Sequence, residues 1–152
     1  MVSTTGICVL FLLTAQAAPE QAPLSLQYWV VEGCREGHEE TVFDANAHIV
    51  RDALEDLPFD TWRTLHKQTA LLQPGQDTRV PLKERYTLIL RYNGRDDDGR
   101  ARVAATVELA SKDPENAPKT VLRTTLLLSR EKARIGGLRT ETGELVLVFS
   151  VQ

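Results

Sequence analysis

"FDANAHIVRDALEDLP", Phe43 to Pro58, is where the apolar period of the chain changes. Phe43, Ala47, Val50, Leu54 and Leu57 recur at intervals of four, three, four and three, which is one face of a helix of about three turns. Thr41-Val42-Phe43-Asp44 fits a capping box, and Asp44 or Asn46 also suits the N-cap, where a side-chain oxygen accepts a bond from an otherwise unpaired backbone N–H. Pro58 ends the segment, because proline lacks the N–H and disfavours helical geometry in the residue before it. Phe59, Trp62 and Leu65 follow as apolar side chains that wedge the helix exit against a sheet, with Trp62 as core.

On both sides of this stretch the period is two. Upstream, Leu24, Leu26, Tyr28 and Val30 alternate with Ser25, Gln27 and Trp29. Downstream, "TWRTLHKQTALL" leads to the turn "QPGQD", and "TRVPL" carries Pro81, the mark of an edge strand or a bulge. "RYTLILRY" and "ARVAATVELA" alternate cleanly around "NGRDDDGR", a hairpin loop whose Asn93-Gly94 and Asp98-Gly99 supply positive-φ positions. "KTVLRTTLLL", a short strand near "KARI", Gly136-Gly137, which allow a bulge or a close backbone approach, and the final "ELVLVFSV" complete the pattern. The last strand is apolar on both faces, which places it inside a sheet. The expected fold is therefore α+β, residues 24–152 forming one domain in which one N-terminal helix packs on a mainly antiparallel β-sandwich or partly open barrel.

The N-terminus reads as an export signal, residues 1–17: an apolar block, Ile7 to Leu13, runs into Ala15-Gln16-Ala17, a small-x-small cleavage pattern. The block is too short for a bilayer span, which takes about 20 apolar residues, so no membrane span is expected after its removal. Residues 18–23 form a short leader. The formal net charge of −3 argues against a nucleic-acid partner or an anionic membrane surface. Cys8 lies within the signal, which leaves Cys34 without a mate in an oxidising compartment. It reads as a buried small apolar residue, or, as an interaction residue, in a mixed disulfide with a partner.

"GCREGHEETVFDANAH", Gly33 to His48, holds the candidate metal ligands Cys34, His38 and His48. Zinc sites favour close pairs such as C-x2-C, and this spacing departs from them; a solvated turn before an acidic helix start accounts for the same residues. A Cys34/His38 nucleophile pair lacks the electropositive setting that stabilises a thiolate. The Asp96–Gly99 run fails the EF-hand pattern and reads as a hairpin tip. No residue is assigned as catalytic or cofactor-binding, and no cofactor is expected.

The order of signal, strand, helix, "LPFDTWRTL", paired strands, "TVLRTTLLLSR", "GG" and a final apolar strand resembles a group of short uncharacterised bacterial envelope proteins that carry signal peptides. That resemblance implies a periplasmic or extracellular location and offers no activity to carry over. The expected function is an exported, non-enzymatic interaction or structural module of the bacterial cell envelope, with another envelope protein as partner. The alternative is a carrier of a small apolar ligand in a barrel-like cavity.

Overall fold

The computed structural model describes residues 21–152; the expected signal, 1–17, and the start of the leader lie outside the described residues. Nine strands follow in chain order: β1 (Leu24–Cys34), β2 (Val42–Phe43), β3 (Thr61–Leu72), β4 (Asp77–Pro81), β5 (Tyr86–Arg95), β6 (Ala101–Leu109), β7 (Lys119–Leu128), β8 (Ala133–Arg139) and β9 (Glu144–Val151). They form a five-stranded sheet in the order β2-β3-β1-β9-β8 and a four-stranded sheet in the order β4-β5-β6-β7. Every pairing is antiparallel except the short β2–β3 contact. The alternation explains the layering. Leu24, Leu26, Tyr28 and Val30 of β1 face Leu88, Leu90 and Tyr92 of β5 and Val103, Ala105 and Val107 of β6 in one core between the sheets. Each fully buried leucine there contributes about 2 kcal/mol.

The expectation of an α+β domain is corrected here. Helix α1 has five residues, Ala45–Ile49, followed by one 3-10 turn, Arg51–Ala53, so the molecule is a β-sandwich with a short helical cap. Of the apolar face, Ala47, Val50 and Leu54 are fully buried against Trp29, Trp62, Val146 and Val148 on the outer side of the five-stranded sheet, and Phe43 and Leu57 partly so. What fails is the continuous α-helical ladder. At the break the bonds shorten to three residues: Val50 N–H donates to Ala47, Ala53 N–H to Val50 and Leu57 N–H to Leu54. The Ile49 and Ala53 carbonyls, which an unbroken helix would bond internally, instead accept from Lys132 Nζ at 3.2 Å and Arg134 Nη1 at 2.7 Å. The same two cations pair with Asp52 and Asp56. Basic side chains from the start of β8 thus hold the cap on its sheet, and the β-branched Ile49-Val50 pair adds little resistance to the break.

The helix also begins later than the capping-box reading places it. Val42 and Phe43 pair with Thr61 and Trp62, so the chain is extended there and Asp44 is the N-cap, accepting from Ala47 N–H at 2.7 Å. The Asp44 carboxylate also takes the Thr64 hydroxyl at 2.8 Å, tying the cap to β3. Burial alone would raise this carboxyl; the Thr64 and Ala47 amides outweigh that and hold it below its usual value.

Trp62 is 1% exposed and Trp29 2%. Among the described residues neither indole N–H has a hydrogen-bond partner. Trp62→Phe therefore leaves a cavity but removes no hydrogen bond, and is expected to cost about 1–3 kcal/mol in urea unfolding. A loss above about 4 kcal/mol, more than the cavity accounts for, would mean the indole N–H does find a partner in solution.

Candidate functional site

Cys34, His38 and His48 sit on three different parts of the chain: the end of β1, the loop before β2, and α1. Among the described residues no three His, Cys, Asp or Glu side chains converge as a metal-binding set. His38 Nε2 is 3.4 Å from the Glu36 carboxylate, which also binds Arg63, while His48 stands edge-on to the Phe43 ring at 6.5 Å. Asp60 shapes this loop by accepting the Glu36 and Gly37 amides, both at 2.8 Å.

Cys34 is a free thiol, 3% exposed. Burial pushes it up from its ordinary value, and the neighbouring Glu32 charge adds to the push, so its thiolate is disfavoured. A mixed disulfide would require the turn above it to lift. That turn joins β8 to β9, and a Cβ built at Gly143 would lie 3.2 Å from the Cys34 sulfur.

Beside Cys34 lies a group that the sequence reading did not single out. Glu32 is 4% exposed and points away from solvent near the end of β1. Its Oε1 accepts from Lys83 Nζ at 2.9 Å, Thr140 Oγ1 at 2.7 Å and Thr142 Oγ1 at 2.6 Å, and its Oε2 takes the same ammonium at 3.1 Å. The signal was present in the sequence as an acid closing the run Trp29-Val30-Val31. Lys83 opens the turn between β4 and β5, in which Glu84 and Arg85 both take left-handed backbone, at φ 60° and 64°. Two such non-glycine residues store on the order of 2 kcal/mol of strain or more. The turn is anchored by Arg85, whose guanidinium donates to the Ala110 carbonyl at 2.9 Å.

This arrangement is a clasp: the carboxylate is neutralised by an ammonium, and its Oε1 also takes two hydroxyls. It joins β1, the β4–β5 turn and the β8–β9 turn. The Asp96–Gly99 tip is equally self-contained, since Asp96 accepts the Asp98 and Arg100 amides and the Arg100 guanidinium.

The second notable feature is a surface. The cap covers the outer side of the five-stranded sheet over Trp29, Val31, Val146 and Val148 and leaves Lys67, Thr69 and Leu71 exposed, whereas the outer side of the four-stranded sheet carries no cap. Ile89, Ala104 and Thr106 floor a depression of about 460 Å³ there, rimmed by Arg79, Arg91 and Arg123. Arg91 pairs with Asp77 at 2.7 Å and Arg79 with Glu108 at 3.5 Å. Arg102 and Arg123 have no ion-pair partner among the described residues. This face is therefore cationic in a chain whose formal net charge is −3. By contrast, the space between the sheets, where an apolar ligand would have to sit, is occupied by side chains such as Leu26, Leu88, Leu90, Leu147 and Phe149.

Compared with protein-family models, curated proteins and solved structures, the chain matches none.

Proposed function

We propose that this chain is a non-enzymatic interaction module of the bacterial cell envelope, and that it meets an acidic partner surface with the outer face of its four-stranded sheet. The observation that carries the reading is the unequal covering of the two sheets. One outer face is covered over part of its length by the helical cap; the other carries no cap and offers small residues, Ala104 and Thr106, between arginines that the fold leaves partly unpaired. Arginine recognises carboxylates through paired N–H donors, and a shallow apolar floor adds desolvated contact. The apolar block and small-x-small pattern before residue 18 support an envelope location.

The test is site-specific photocrosslinking in the native envelope from position 93, where Asn93 lines the depression. A discrete adduct is expected, reduced at least fivefold by Ala104→Trp, which fills the floor from the solvent side and leaves the core untouched. Recovery of the uncrosslinked monomer alone, or an adduct indifferent to Ala104→Trp, would remove the proposal.

A further inference from the structure

The β4–β5 turn sends two cations to different places. Lys83 reaches Glu32 in the clasp, whereas Arg85 turns to the end of β6, where its guanidinium donates to the Ala110 carbonyl at 2.9 Å and its own carbonyl accepts the Ala110 N–H at 3.0 Å. Arg85 is thus held by backbone and side chain together, in left-handed backbone at φ 64°. Strain of this kind persists where the surrounding fold enforces it, and it collects at ligand sites. Arg85 borders a depression of about 360 Å³ that Leu109, Ser111, Lys112, Ala117 and Lys119 also line. Arg85, Lys112 and Lys119 have no ion-pair partner among the described residues, and no carboxylate lines the depression. Glu84, next to Arg85 in the chain, stays outside the lining; Glu108 pairs with Arg79, and Asp113 accepts the Glu115 amide of its own loop at 3.1 Å. Two other depressions do carry acids: Asp77 and Glu108 on the outer face of the four-stranded sheet, and Glu144 beside Arg35 and Arg139.

We propose that this depression binds a phosphomonoester, the phosphate among Arg85, Lys112 and Lys119 and the esterified group against Leu109 and Ala117. The charge count sets the ligand. A phosphomonoester carries about two negative charges on three terminal oxygens and meets three cations at once, whereas a carboxylate offers a single charge on a pair of oxygens. The guanidinium presents paired donors to phosphate, and the two ammoniums act as point charges. Ser111 adds a hydroxyl donor: its oxygen accepts the Asp113 amide at 3.1 Å, and its proton has no acceptor among the described residues. The volume lies in the range of about 300–1,000 Å³ usual for small-molecule sites, which leaves room for the esterified group. A soluble phosphate ester and the headgroup of phosphatidic acid offer the same chemistry. The site shares no residue with the outer face proposed to meet an acidic partner, so the two readings stand or fall separately.

Titration calorimetry with phenyl phosphate, inorganic phosphate and benzoate tests this, together with co-sedimentation on phosphatidylcholine vesicles with and without phosphatidic acid. Phenyl phosphate is expected to bind, and more tightly than inorganic phosphate or benzoate. The double variant Lys112→Gln/Lys119→Gln, at two exposed positions, should weaken it about tenfold. Arg85→Gly should weaken it by a similar factor while the thermal midpoint is retained, because glycine takes φ 64° without strain. Arg130→Gln, past the other end of β7, should leave the affinity unchanged. Binding seen only on vesicles that contain phosphatidic acid, and reduced in the lysine double variant, would support the site with a lipid headgroup as its ligand. Absence of binding in both formats, inorganic phosphate or benzoate bound as tightly as phenyl phosphate, or an affinity unchanged in the lysine double variant would overturn the proposal.

Discussion

Gly143→Ala is expected to destabilise the protein by on the order of 4 kcal/mol, enough to unfold many domains at growth temperature. The reason lies in two backbones. A Cβ at position 143 would stand 2.0 Å from the Gly33 carbonyl oxygen, and neither the turn nor β1 has a flexible side chain that can move aside. Relief would require the turn to lift from β1. Thr140 accepts the Gly143 N–H at 2.9 Å, so the lift would also withdraw Thr140 and Thr142 from Glu32 and open the cover over Cys34. Gly136→Ala is the control, because a Cβ there meets Glu144 Oε1 at 3.4 Å, an ordinary contact with a flexible side chain. Urea unfolding of the two variants decides the matter. Equal stability of Gly143→Ala and the wild type would show that the turn is not held against β1, and increased labelling of Cys34 in Gly143→Ala is the companion readout.

Glu32→Ala is expected to cost about 2–3 kcal/mol, the upper range for hydrogen bonds to a charged group. The figure stays below the largest values for broken buried ion pairs because the Lys83 ammonium is partly exposed and regains water, whereas Thr140 and Thr142 each lose an acceptor. The strained Glu84-Arg85 turn would then lose the contact that holds Lys83 over the sandwich end. The pH dependence carries a sign. Burial pushes the Glu32 carboxyl up, but the Thr142 and Thr140 hydroxyls and the Lys83 ammonium outweigh it and hold the group below its ordinary value of 4.5. A depressed carboxyl stabilises the fold above its unfolded value and loses that contribution as pH falls through its folded one. Wild-type stability should therefore fall on acidification below about 4.5, and Glu32→Gln should show a shallower fall. Asp44 is depressed as well, so the variant removes only part of the slope. Identical slopes for Glu32→Gln and the wild type would rule out the clasp as an acid-sensitive element.

How much of this was legible beforehand differs by element. The long strands were, because period-two alternation follows from the pleat and is fixed wherever one face is buried, but the two-residue β2 was not, since Val42-Phe43 reads as part of the capping box. Pro81 marked an edge, Gly94 and Gly99 took positive φ, and Gly136-Gly137 made a bulge, each for a reason local to the residue. The candidate metal ligands were legible only as residue types close together in sequence. Whether Cys34, His38 and His48 converge depends on the path of the loop around Asp60, which no spacing encodes.

The chain alone determined a β body, its turns and the buried face of the cap: alternation, glycine, proline and the Ala47/Val50/Leu54 spacing act over a few residues. Only the tertiary structure decided that the cap is a five-residue helix and a 3-10 turn, because the side chains that take the Ile49 and Ala53 carbonyls, Lys132 and Arg134, lie about eighty residues away in sequence. It decided the clasp as well, since Glu32, Lys83, Thr140 and Thr142 come from three separate segments. Local propensity weighs one backbone bond against the next, and it cannot register a donor that folding brings in from another strand.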